Sequence, residues 1–133
     1  MQTIEWLVQQ TLVGITCSEV TARGNYLEVR FGDRLLIVYA AWRIAEGDAV
    51  LVGSGAEEQQ LDRVIPLLLG QIVSEVQLIG AFHDLRLAFV GGRRFESFAD
   101  EGAFEQWNLV RSGDSGSPQR MVIAGPGDRV AVL

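Results

Sequence analysis

Lysine is missing from this chain, and all eleven basic residues are Arg. Against them stand 17 acidic residues, giving a formal charge of -6 at neutral pH. A surface of that sign repels phosphate backbones and anionic headgroups, so neither a nucleic acid nor a membrane is expected as partner, while a basic protein is. The exclusive use of Arg fits a GC-rich coding bias and implies no mechanism. Cysteine and histidine occur once each, as Cys17 and His83. One thiol cannot close an internal disulfide, and one imidazole distant from it supports neither a zinc constellation nor a Cys-His nucleophile pair. The expectation is a chain of the reducing cytoplasm without metal or cofactor. No apolar run reaches the roughly 20 residues of a spanning helix. The N-terminal segment, with Glu5, Gln9 and Gln10 and no basic stretch before its apolar residues, does not read as a secretory signal.

What is abundant is repetition. Leu12-Val13-Gly14 followed by Ser18-Glu19-Val20 returns as Leu68-Leu69-Gly70 followed by Ser74-Glu75-Val76, a shift of 56 residues (70 minus 14). The echo runs on through Gly24 and Gly80, through Leu27-x-Val29-x-Phe31 and Leu85-x-Leu87-x-Phe89, and through Gly32-Asp33-Arg34 and Gly91-Gly92-Arg93. It ends on Trp42-x-Ile44 and Trp107-x-Leu109. Such self-similarity marks a duplicated architecture. With 133 residues, 48% of them hydrophobic, the chain suits a single domain spanning 1–133, its copies covering about 4–55 and 60–133. A lone piece of roughly 60 residues has a marginal core, so the two halves are expected to share one.

Periodicity places the elements. Ile4, Leu7, Val8 and Leu12 recur at helical spacing, as do Leu61, Val64, Ile65, Leu68 and Leu69, so each half opens with a short helix. Pro66 predicts a helix starting close to it or a kink. Gly14 and Gly70 then fit the left-handed residue that ends a helix. Strands follow at about Thr16 to Ala22 and Ile72 to Ile79, with turns at Gly24-Asn25 and Gly80 to His83. The next strands alternate, with Leu27, Val29 and Phe31, and likewise Leu85, Leu87 and Phe89, facing inward. Tight turns at Gly32-Asp33 and Gly91-Gly92 make hairpins of both halves. The wholly apolar return, Leu35 to Ala40, is expected to be covered on both faces, and the mixed Arg94-Phe95-Glu96-Ser97-Phe98 to be peripheral. Met121 to Leu133 reads as a last hairpin around Gly125 to Asp128. The expected fold is α+β and mainly β: two similar antiparallel β-hairpin halves sharing one core, with one or two short helices.

These motifs, with Phe104-Glu105-Gln106-Trp107-x-Leu109 and the closing Gly125-Pro126-Gly127-Asp128-x-Val130-Ala131-Val132, resemble an uncharacterised family of short actinobacterial proteins with two Leu-x-Gly hairpin repeats. The chain departs from that pattern at Asp128, where Pro-Gly-Gly would be expected. The resemblance implies no catalytic residue. Some small proteins of this kind are similar to immunity proteins that neutralise toxins.

Gly113-Asp114-Ser115-Gly116-Ser117-Pro118 resembles the nucleophile loop of chymotrypsin-like serine proteases, but the only His lies in Phe82-His83-Asp84, and the chain is too short for two barrels. A polar surface loop explains it better. Cys17 reads as a small core residue, and Glu19 and Glu75 as solvent-facing strand positions. The surface that remains is Glu96, Asp100, Glu101 and Glu105, clustered near Phe98, Phe104 and Trp107 where the copies differ most. The function expected from it is non-enzymatic protein binding, an immunity-type protein neutralising a basic toxin. The alternative is a small-ligand or enzymatic pocket between the halves. Edge strands also allow a homodimer.

Overall fold

The computed structural model describes residues 3–23, 26–55, 58–99, 105–112, 118–125 and 128–132. Thr3 opens the first helix, α1 (Ile4–Leu12), by accepting the Trp6 amide proton at 3.0 Å, which satisfies one free donor of the first turn. The helix buries Val8 and Leu12 and gives way to Gly14, whose φ of 85° a side chain would resist. The second helical segment is split into α2 (Glu58–Leu61) and α3 (Val64–Leu68). Pro66 lies in the first turn of α3, where its missing donor costs no helical bond, and Gly70 ends the segment at φ 83°.

Eleven strands occur among the described residues: β1 (Glu19–Ala22), β2 (Leu27–Phe31), β3 (Arg34–Val38), β4 (Ala41–Glu46), β5 (Ala49–Gly53), β6 (Val73–Ile79), β7 (Asp84–Phe89), β8 (Arg93–Phe98), β9 (Trp107–Ser112), β10 (Pro118–Ala124) and β11 (Val130–Val132). They form two antiparallel sheets, ordered β1-β2-β3-β9-β10-β11 and β5-β4-β8-β7-β6. The fold is α+β and mainly β, as the alternating pattern implies. No helix among the described residues is long and apolar enough to cross a membrane.

The two helix exits pair with each other. Gly14 N–H donates to the Val73 carbonyl at 2.8 Å, and Gly70 N–H to the Cys17 carbonyl at 2.9 Å; Cys17 N–H reaches Gln71 O at 2.8 Å, and Val73 N–H reaches Ile15 O at 3.1 Å. Each bond has its counterpart 56 residues along, and the antiparallel bridge between Thr16 and Ile72 lies at the centre. Thr16 therefore belongs to this seam, and the first strand begins only at Glu19.

Beyond the seam the halves exchange strands. The hairpin β4-β5 leaves the first half to pair with β8 of the second, while β9 leaves the second half to pair with β3 of the first. The register is the same in both places: Trp42 lies opposite Ser97 as Trp107 lies opposite Val38, and Ile44 opposite Phe95 as Leu109 opposite Leu36. Leu27, Val29 and Phe31 join Leu85, Leu87 and Phe89, both tryptophans and the helix residues Val8, Leu12, Val64 and Leu68 in one buried cluster. The recurring motifs are packing positions.

Two expectations are corrected. The strand from Leu35 to Ala40 is buried on one face only: Leu36 and Val38 enter the core, whereas Leu35 and Ile37 are half-buried and Tyr39 is exposed. Arg94 to Phe98 is not peripheral but lies in β8, between β4 and β7 in the middle of its sheet, with Phe95, Glu96 and Ser97 buried. A mixed strand can occupy that place because its polar side chains are bonded: Ser97 Oγ accepts the Leu85 amide proton at 3.0 Å, and Glu96 meets arginines. The turn at Gly24-Asn25, part of the insertion before Glu105 and the tip of the last hairpin at Pro126-Gly127 lie outside the described residues.

Truncating Leu87 to Ala should cost about 2–5 kcal/mol, seen as a lower urea midpoint at unchanged slope. The same truncation at Val90, 69% exposed on the adjoining turn, should change stability by no more than about 0.5 kcal/mol.

Candidate functional site

Alternation along β4, β7 and β8 sends Trp42, Ile44, Leu85, Leu87 and Phe95 into the core. Their neighbours Arg43, Arg86, Arg94 and Glu96 consequently share the outer face of the five-stranded sheet. Register does the rest, placing Arg43 and Arg86 directly opposite Glu96 on either side. Arg86 engages Glu96 Oε2 with two groups, Nη2 at 2.9 Å and Nε at 3.2 Å. On Oε1, Arg43 Nε lies at 3.4 Å and Arg94 Nε at 3.6 Å. The Arg43 guanidinium lies 4.8 Å from the centre of the Phe98 ring, and Arg94 Nη2 donates to the Gly47 carbonyl at 2.8 Å. Glu96 is 3% exposed, while the arginine side chains keep 33–43% of their surface in water. Three cations thus surround one buried anion on an otherwise acidic chain.

Burial pushes the Glu96 carboxyl up, but the hydrogen bonds and charges of Arg86 and Arg43 outweigh it and hold the group below its ordinary value of 4.5. Beside the cluster a groove of about 200 Å³ is lined by Arg43, Ala45, Gly47, Asp48, Val50 and Arg94. Such an arrangement offers fixed donors to an anion and includes no nucleophile.

The acidic group expected from the sequence is not assembled by the described residues. Glu96 is buried under arginines on one sheet. Glu105 is half-buried just before β9 of the other, where its carboxylate accepts the Asn108 Nδ2 proton at 3.0 Å. Asp100 and Glu101 lie outside the described residues, as do Gly113 to Ser117 of the protease-like string. His83 occupies a turn at φ 58°, with its carbonyl accepting from Trp107 Nε1 at 2.9 Å. Cys17 is buried, and burial raises its thiol to about 11 despite a bond to the Glu19 carbonyl, so it carries no thiolate at neutral pH. Glu19 and Glu75 are exposed on different sheets. Among the described residues no three His, Cys, Asp or Glu side chains stand together as a metal site.

Arg43 and Arg86 escaped the sequence reading because they lie 53 and 10 positions from Glu96 (96 minus 43 and 86) and only cross-strand register brings them to it, whereas Arg94, two positions away on the same strand, joins them by alternation. One signal was available. The matching row of the six-stranded sheet is Glu28, Ile37 and Asn108, so Glu96 stands where the other copy has an apolar residue. Comparison of the chain with protein-family models, with curated proteins and with solved structures finds no match.

The depressed Glu96 carboxyl ties stability to pH. Between its folded value and 4.5 the unfolded chain binds the proton more readily, so the ionised carboxylate stabilises the fold fully above 4.5, and that gain vanishes as pH falls through the folded value. Glu96→Gln should cost about 1–3 kcal/mol at about pH 7, less than breaking a fully buried pair because the arginines remain solvated. Urea titrations over pH should show wild type and Glu96→Gln converging in acid.

Proposed function

We propose that the chain is a non-enzymatic protein-binding domain whose recognition surface is the outer face of its five-stranded sheet. One observation carries the reading: a carboxylate is buried at Glu96 where Ile37 occupies the matching place in the other sheet. The architecture therefore accommodates an apolar residue at this register, and an ion cluster is a poor way to gain stability. What the cluster does provide is order. Glu96 holds three arginines in place before any encounter, which reduces the side-chain entropy lost on binding, and Arg is among the residues enriched at energetic centres of interfaces. The partner region opposite this face is acidic.

A second reading is favoured by the net charge of -6: an immunity-type protein neutralising a basic toxin through Glu105 together with Asp100 and Glu101. A groove of about 260 Å³ does lie between the halves, lined by Gln9, Gln10 and Val13 of the first and Ser74, Glu75 and Val76 of the second, and it is where a small-ligand reading would place its site. It gathers no charged cluster like that around Glu96, and backbone hydrogen bonds fill the neighbouring seam at Thr16 and Ile72. In either protein-binding reading we assign the chain to the cytoplasm, in keeping with its single reduced thiol.

Affinity capture from native lysate separates the two. A partner retained by wild type and by Glu105→Arg but lost by the Arg43→Glu/Arg94→Glu double variant supports the arginine face. The opposite pattern supports the immunity-type reading, and a partner indifferent to both changes defeats both.

A further inference from the structure

Resting on the arginine-face reading, we propose that the groove between Arg43, Arg94, Asp48 and Val50 receives one carboxylate from a glutamate side chain of the partner and discriminates against phosphate dianions. The donors are present and incompletely used. Arg43 and Arg94 both touch Glu96 through Nε and both line the groove. Arg94 Nη2 is anchored to Gly47 O, while the Arg43 guanidinium lies over the Phe98 ring and its Nη groups have no hydrogen-bond partner among the described residues. A guanidinium held by one edge presents its other edge as a planar fork, the shape that matches a second carboxylate.

Charge fixes the valence of the guest. Three arginines against Glu96 and Asp48 leave a surplus of one positive charge (3 minus 2) at the groove. Asp84 and Glu75 share this face and keep their charge, but they do not line the groove; Asp84 accepts the Ala99 amide proton at 2.9 Å, and Glu75 accepts from Gln77 Nε2 at 3.1 Å. A carboxylate neutralises the surplus, whereas a dianion brings one charge too many beside Asp48, which also lines the groove. Size and lining agree. About 200 Å³ equals the liquid volume of six to seven waters at ~30 Å³ each, enough for a carboxylate and its methylenes. Val50, 57% exposed, offers those methylenes an apolar contact.

The test uses the whole protein, isotope-labelled, titrated with the end-blocked tripeptide acetyl-Gly-Glu-Gly-amide while the backbone signals of Gly47 and Val50 and the Nε–H signals of Arg43 and Arg94 are followed. Saturable shifts at these four groups are expected, and the Gln counterpart of the tripeptide should produce none. Arg43→Lys and Arg94→Lys preserve the charge beside Glu96, so they should remain folded, checked by circular dichroism, yet bind about tenfold more weakly. Inorganic phosphate should compete poorly with wild type and better with Asp48→Asn, an exposed turn position whose replacement leaves the cluster intact. Equal binding of the Gln tripeptide, unchanged affinity in both Lys variants, or wild-type phosphate binding as tight as that of the Glu tripeptide would each overturn the proposal. Binding only of acetyl-triglycine with its free terminal carboxylate would overturn the side-chain assignment. If the tripeptide behaves as expected but capture of the protein partner ignores Arg43 and Arg94, the carboxylate site stands and the protein-binding reading falls.

Discussion

Two helix exits paired back to back hold this molecule's plan. At Gly14 and Gly70 the chain leaves a helix in a left-handed turn, and each exit donates to and accepts from the other across the Thr16–Ile72 bridge. The pairing consumes backbone groups that would otherwise be stranded beside the core, and it sets the two halves in reciprocal orientation. From there β4-β5 and β9 pass to the opposite half, and each sheet is completed by strands from the other. Neither half has a whole sheet of its own, which is the structural form of the rule that pieces of roughly 60 residues bury too little surface alone.

The same exchange builds the arginine cluster. Arg43 arrives on the hairpin donated by the first half, while Arg86, Arg94 and Glu96 belong to the second. In the other sheet the equivalent exchange brings Asn108 beside Ile37. One plan thus yields two outer faces, one with an apolar centre and one with a buried anion that organises cations. Where a duplicated fold must solve one packing problem twice, a difference between its copies is the place where something other than packing is at work. Glu96, matched by Ile37 in the other sheet, is one such difference, and the proposed recognition surface rests on it.

Much of the framework could be read from local residues. Leu27, Val29 and Phe31 and their counterparts are buried as alternation requires, and the two glycines sit at positive φ as helix ends require. What could not be read is nonlocal. Strand exchange leaves no mark on periodicity, because Trp42-x-Ile44 and Trp107-x-Leu109 look alike whichever partner they pair with. Glu96 misled for the same reason: a charged residue in a mixed strand is normally solvated, and the arginines that offset its burial come from other strands. Leu35 to Ala40 misleads in the opposite direction, since an apolar run reads as covered on both faces although one side of that sheet faces outward.

Complementation of the two halves tests the exchange most directly. Residues 1–55 and 56–133, made as separate fragments, should each fail to unfold cooperatively, and mixing them should restore a cooperative transition that Arg43→Glu in the first fragment weakens. A fragment that alone gave cooperative unfolding and a dispersed amide spectrum would contradict the account, because each half would then complete its own sheet.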